Sequence, residues 1–380
     1  MPAHSVIHSA RLVSSGQVVE NGWVLFAGDR IAATGQGDTF PGGDTVIDAA
    51  GRWLTPGFID IHGHGGGGMA FDAGADGIRT ALALHRSHGT TRSVLSLVTA
   101  SLPDLERQLG AIADAAGTDP LILGSHLEGP FLADAHRGAH DPTLLRSADR
   151  GSIDRLLQAA NGTLVQVTLA PELPGGMDAL RQLVDASVVV AVGHCAADYD
   201  VAMAAFGAGA SILTHAFNAM PGIHHRAPGP VAAAMDSPAV TLELINDGVH
   251  VHPAVVRLAF EGAPGRVALI TDAMAAAGSA DGQYTLGTLQ VTVTNGVARL
   301  VDGGSIAGST LTLDTALRLA VASVGLPVEV AVRAITETPA RAIGRDRDLG
   351  QLAAGFAADA VLLDADFAVD GVWGAGIRLR

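Results

Sequence analysis

The chain has 380 residues and a formal net charge of -15, a balance that argues against nucleic acid and anionic membranes as partners. Apolar residues make up 48% and charged ones 16%, so the chain can bury a sizeable core and is neither disordered nor collagen-like. A single cysteine, Cys195, excludes an intrachain disulfide and a cysteine-rich zinc module. The absence of lysine excludes Schiff-base chemistry, a phosphate-loop lysine and a carbamylated-lysine metal bridge.

Met1–Gln17 has no basic region followed by an apolar run, so no signal peptide is expected. No apolar run reaches the roughly 18 residues of a membrane span, and the cytoplasm is the expected location. At roughly 150 residues per domain, the length suggests two units, or one large barrel with an appendage.

Residues 1 to about 50 read as short strands, Ser5–Ile7, Val18–Phe26 and Arg30–Thr34, separated by glycine-containing turns. After Thr55-Pro56-Gly57 the pattern changes. Eight short apolar runs follow: Gly57–Ile61, Thr90–Val98, Leu121–Ser125, Leu164–Leu169, Val188–Val192, Ala210–Leu213, Val240–Ile245 and Val267–Ile270. They are rich in Val, Ile and Leu, as strands buried on both faces must be. Helical stretches lie between most of them: Asp76–Ser87, Leu102–Ala116, Ile153–Ala160, Met177–Ala186, Ala197–Gly207 and Pro253–Glu261. Eight β-then-α units imply an α/β fold, the (β/α)8 TIM barrel.

Beyond the eighth strand, Gln283–Val293, Asn295-Gly296 and Val297–Val301 read as a hairpin with a type I′ turn. Two helices are expected near Thr310–Val324 and Pro327–Ile343, then a strand pair in the tail from Gly350. The expectation is a small β-sandwich domain from residues 1–54 and 346–380, and a barrel over 55–345 with the hairpin inserted near 283–301.

Six polar residues stand just past the ends of barrel strands. They are His62 and His64 after the first, Glu128 after the third, His194 after the fifth, His215 after the sixth and Asp272 after the eighth. That is the face where barrel enzymes keep their active sites. Imidazole and carboxylate suit Zn²⁺, with Fe²⁺, Mn²⁺ or Co²⁺ as alternatives. His62 and His64, two apart, emerge on one side of a strand and can share an ion. Asp272 is then the odd carboxylate, free to move protons. Ligand arithmetic favours two ions per chain, because Glu128, His194 and His215 already suffice for one. His126 is expected on the opposite strand face and is left out. His85 and His88 read as helix-surface or packing residues, His4 and His8 as unrelated to the site, and Cys195 as a small packing residue.

The pattern of His-x-His after the first strand, ligands after the fifth and sixth, and Asp after the eighth resembles the amidohydrolase superfamily. Finer motifs are similar to its N-acetylglucosamine-6-phosphate deacetylase family: Pro56-Gly57-Phe58-Ile59-Asp60, Leu127-Glu128-Gly129-Pro130-Phe131, Gly138-Ala139-His140-Asp141-Pro142, Thr214 to Pro221, Asp247-Gly248-Val249-His250 and Thr271-Asp272-Ala273. They follow the family's order across nearly the whole chain. Some members replace the two histidines by Gln-x-Asn and bind one ion; this chain keeps both, and with lysine missing Glu128 takes the bridging place. The resemblance implies Asp272 as the proton shuttle, and phosphate binding by Asn218, Ala219 and Arg226. It also implies contacts to sugar and amide by His140 and His250, and closure over the substrate by Ala139 and the Ser305–Ala307 stretch, with Ile306 at its centre. No role is assigned to His224 or His225.

The resemblance implies metal-dependent hydrolysis of the acetamide of N-acetyl-D-glucosamine 6-phosphate to glucosamine 6-phosphate and acetate, by a homodimer that uses neither nucleic acid nor membrane. Alternatives are an N-acetylgalactosamine-6-phosphate deacetylase, a D-aminoacylase, or a non-catalytic metal- or sugar-binding protein.

Overall fold

A computed structural model describes residues 4–380; Met1–Ala3 of the expected small domain lie outside the described residues. Eight parallel strands pair in chain order: Phe58–Asp60, Thr90–Leu97, Ile122–Glu128, Leu164–Leu169, Val189–Val192, Ile212–Leu213, Thr241–Ile245 and Val267–Ile270. The backbone just past the last strand meets the backbone just past the first, where Asp272 N–H donates to the His62 carbonyl at 2.8 Å. Apolar side chains on both strand faces explain the burial. Leu242, Leu244, Ile212, Leu213, Leu269 and Ile270 are all completely buried, each contributing about 1.5–3 kcal/mol.

Helices follow the strands at Ala75–Ser87, Leu102–Thr118, Arg150–Ala160, Gly176–Asp185, Tyr199–Gly207 and Pro253–Gly262. Their starts are chemically marked. Ser101 accepts from the Asp104 N–H, and Asp149 and Asp198 cap the third and fifth in the same way. Gly229–Asp236 is a further helix, which sequence reading passed over because an Ala-rich run after Pro228-Gly229 carries no polar periodicity. Among the described residues, no helix is long and apolar enough to cross a membrane.

The chain divides into two compact units. One holds residues up to Asp60, His85–Ser93 and Thr312–Arg380. Its eight-stranded sheet joins both ends of the chain: Ala360–Leu363 runs antiparallel to Trp53–Pro56, which pairs in parallel with His4–Ser14. Ile31 from one edge region and Trp373 from the other share one buried cluster with Phe26, Leu54 and Leu362. The sheet therefore folds over its own core in sandwich fashion. In the same unit, Arg92 forms a two-point pair with Asp359 at 2.6 and 3.1 Å, which allows a cation to sit in a buried strand.

The second helix expected in this unit is broken into Val328–Ala334 and Glu337–Ala342. Pro339 has no N–H to offer the Ile335 carbonyl four residues back. That carbonyl instead accepts from Ile59 N–H at 2.9 Å. The other expected helix is present as Leu313–Leu319, relaxing into a wider turn over Ala320–Val324.

The other unit, Ile61–Leu84 with Val94–Leu311, carries the polar ends of the barrel strands. Its hairpin insertion has three strands rather than two, Gly282–Leu286, Leu289–Thr294 and Val297–Leu300, because Gly287 turns at φ +56°. Asn295 and Gly296, both with positive φ, make the expected turn.

Candidate metal centre and active site

Strand ends deliver the six polar side chains to one place. The ligand atoms of His62, His64, Glu128 and Asp272 all lie within 4.8 Å of one another, as do those of Glu128, His194 and His215. Glu128 belongs to both groups. Its Oε1 is 3.0 Å from Nε2 of both His194 and His215, and its Oε2 is 3.2 Å from His64 Nε2. Asp272 Oδ1 lies 3.1 Å from His64 Nε2 and 3.7 Å from His62 Nε2. His194, His215 and Asp272 have φ of +46°, +26° and +47°. Such values are uncommon for residues with a side chain and cluster at functional sites. Gly193 is needed beside His194, since a Cβ there would lie 2.6 Å from Thr214 Cβ.

The donor set fits a divalent cation. His194 Nδ1 donates to the His136 carbonyl at 2.8 Å, which leaves its Nε2 as the ring nitrogen that faces Glu128 Oε1, at 3.0 Å. The Nε2 atoms of His194 and His215 are themselves 3.0 Å apart. Converging lone pairs of nitrogen and carboxylate oxygen, buried together, call for a positive charge between them.

The ionisation of the site carries the same signature. Burial opposes charge on His62, yet Glu128 and Glu243 outweigh it and hold the imidazole pKa well above its ordinary value. Burial likewise opposes charge on His64, but Asp272 and Glu128 bring it up to about 9. Burial alone would raise the two carboxyls. His62 and the other imidazoles hold Glu128 well below the usual range, and His64 holds Asp272 below it. Asp272 is therefore ionised at neutral pH and able to accept a proton.

His140 is different. Burial first, and then its neighbour His194, pushes it down to about 4, so it is neutral. Thr99 N–H donates to its Nδ1 at 3.4 Å. The same Nδ1 lies 2.9 Å from Thr99 Oγ1, and these contacts turn Nε2 toward the centre, 3.4 Å from Glu128 Oε2. His250 is oriented by Asp247, which accepts from its Nδ1 at 2.7 Å and raises its pKa against the effect of burial.

A cavity of about 310 Å³ opens onto this centre. Its walls include His64, Glu128, Ala139, His140, His194, His215, Asn218, Ala219, His250, Asp272 and Ile306. The structure thus brings eleven of the expected site residues to one cavity. His62 lies buried behind the wall. Arg226 does not reach the cavity: it is exposed on the turn His224–Ala227, with its Nη1 2.6 Å from His225 Nε2.

Several residues were missed by sequence reasoning. His126 shares a strand face with Glu128, because residues two apart on a strand point the same way, so the expectation of opposite faces is corrected. Fully buried, it packs edge-on against His62 with ring centroids 4.6 Å apart, and is held by Ser96 and Thr168 at 2.9 and 2.8 Å. Burial and the nearby His62 push its pKa well down, so it is a neutral floor to the centre. Thr99 and Asp247, the partners of His140 and His250, carried no sequence signal. Glu243 did: it is a carboxylate in the otherwise apolar strand Thr241–Ile245.

Comparison with known proteins agrees with this geometry. The N-acetylgalactosamine-6-phosphate deacetylase of Escherichia coli O157:H7 is 39% identical over 97% of each chain. The N-acetylglucosamine-6-phosphate deacetylase of Vibrio furnissii is 38% identical, covering 85% of this chain and 82% of its own. The N-acetyl-D-glucosamine-6-phosphate deacetylase of Mycobacterium smegmatis has been solved as an aspartate-to-alanine variant in complex with N-acetyl-D-glucosamine-6-phosphate. It is 45% identical, with 99% of each chain covered and a TM-score of 0.95. The model of the amidohydrolase family matches residues 53–377. The chain belongs to the amidohydrolase family.

Proposed function

We propose that this enzyme hydrolyses the acetamide of N-acetyl-D-glucosamine 6-phosphate to glucosamine 6-phosphate and acetate. One observation carries the reading: a proton-accepting carboxylate, Asp272, shares a cavity with a donor set built for divalent cations. A non-catalytic binder has no use for that pairing.

His62 and His64 would hold one ion, His194 and His215 the other, with Glu128 between them. Zinc suits the nitrogen and oxygen donors; Fe²⁺, Mn²⁺ and Co²⁺ are the alternatives. Bound there, the cations lower the pKa of water toward about 7 and polarise the amide carbonyl. Asp272 takes a proton from the attacking water and returns it to the leaving nitrogen, so the C–N bond breaks to give a neutral amine. His140 donates its Nε2–H to the carbonyl oxygen as negative charge develops. His250, Ala139 and Ile306 line the sugar. Asn218 and Ala219 receive the phosphate, and Arg226 completes its recognition from a second copy in a homodimer, consistent with its distance from the cavity of its own chain. The planar guanidinium suits phosphate oxygens.

The cytoplasm is the proposed compartment. Residues 55–345 form the proposed barrel domain, and 1–54 with 346–380 the small β domain; the two sheets support that partition.

A second reading, the galacto epimer of the substrate, has its own support in the 39% identical E. coli relative. Acetate release from the two N-acetylhexosamine 6-phosphates, unphosphorylated N-acetylglucosamine and an N-acetyl-D-amino acid tests both. A phosphorylated sugar should be preferred; preference for the amino acid overturns the proposal.

A further inference from the structure

Glu243 is a buried carboxylate that the proposed reaction does not use. It sits at the middle of the seventh barrel strand, Thr241–Ile245, and is completely buried. Burying a carboxylate is costly unless it is paired and hydrogen-bonded. Both oxygens are committed. One lies 2.9 Å from His62 Nδ1, and the other accepts from Gln166 Nε2 at 2.8 Å. Gln166 is itself completely buried on the fourth barrel strand, Leu164–Leu169.

The chemistry of the pair fixes the imidazole. An ionised carboxylate has no proton to give, so the proton between the two groups is on His62 Nδ1. His62 Nε2 is then the atom left for a cation, and it is the atom that faces Glu128 Oε1 at 3.5 Å and Asp272 Oδ1 at 3.7 Å. Gln166 supports the same arrangement by turning its amide NH₂ toward the carboxylate. His194 receives only a backbone carbonyl, from His136, at the corresponding nitrogen. A full negative charge behind the ring is thus a feature of His62 and not of His194.

We propose that Glu243 is the positioning residue of the first ion. It holds His62 with Nε2 presented to the cation and adds negative charge behind the ligand, and Gln166 holds Glu243. This inference rests on the two-ion reading above. Carboxylates behind ligating histidines raise ligand basicity, and their loss costs about 10–100-fold in metal affinity.

The test is chelator competition with Zn²⁺, followed by elemental analysis, on wild type, Glu243→Gln and Gln166→Leu, alongside thermal unfolding of the metal-free proteins. In Glu243→Gln the ion at His62 and His64 should bind about 10–100-fold more weakly. The second ion should be unchanged, while the metal-free protein, which loses the buried His62–Glu243 pair, should melt lower. Gln166→Leu keeps the charge and should weaken the same ion by less, so it serves if Glu243→Gln does not fold. Unchanged affinity for the first ion overturns the proposal. So does parallel weakening of both ions, the mark of a merely structural residue. A wild type holding one ion refutes the two-ion reading instead. The role of Glu243 is then judged on that ion, and equal affinity in wild type and Glu243→Gln removes it.

Discussion

Replacing Asp272 by Asn isolates proton transfer from everything else the residue does. The backbone at Asp272 has φ +47°, a left-handed conformation that Asn tolerates as well as Asp. Its main-chain bonds, to the His62 carbonyl at 2.8 Å and from Ser309 N–H at 2.7 Å, do not involve the side chain. The fold should therefore survive. What disappears is the basic oxygen 3.1 Å from His64 Nε2. General acid–base catalysis contributes about 10²–10⁴-fold, or about 2.7–5.4 kcal/mol of barrier at 1.36 kcal/mol per decade.

Steady-state acetate release by wild type and Asp272→Asn, each checked for metal content, measures the loss in kcat. The pH dependence supplies a second readout. Burial tends to raise the Asp272 carboxyl, but His64 holds it below the ordinary value. The deprotonated, active form therefore persists through neutral pH and is lost only as pH falls through the lowered pKa. The acid limb of kcat/KM should lie at or below the usual carboxylate range in wild type and be absent in the variant. A variant with normal metal content and near wild-type turnover refutes the role.

Arg226→Ala discriminates two settings for that exposed cation. A phosphate contact desolvated by a second copy should cost about 2–5 kcal/mol in kcat/KM for the phosphorylated substrate and little for the unphosphorylated one. A loss of about 1 kcal/mol or less is what a solvated loop charge gives, and equal losses on both substrates mean a structural role. The double variant His62→Asn/His64→Asn should hold one ion where wild type holds two, by elemental analysis. Equal metal content in both proteins contradicts the two-ion centre.

The barrel was legible because parallel strands buried on both faces must be predominantly apolar, and the eight runs from Phe58 to Ile270 are, with buried polar exceptions such as Arg92, Gln166 and Glu243. The candidate metal ligands were legible because each stands at the C-terminal end of such a run. The partners behind the ligands were not. Thr99 and Gln166 are ordinary polar residues in the sequence, and only the barrel brings Gln166 to Glu243 from 77 residues away. His126 was misjudged through strand parity, although its spacing from Glu128 carried the answer. The break at Ile335 was signalled by Pro339, yet the apolar periodicity on either side masked it. Arg226 shows a different limit: a motif pointed to a residue that the structure leaves exposed, away from the cavity of its own chain.

The most direct measurement follows acetate released from N-acetyl-D-glucosamine 6-phosphate while divalent metal is returned to chelated protein in known equivalents. Chelated protein should release essentially no acetate, and activity should rise with metal and level off at two equivalents. Full turnover by metal-free protein, with folding verified, would contradict metal-dependent amide hydrolysis at this centre.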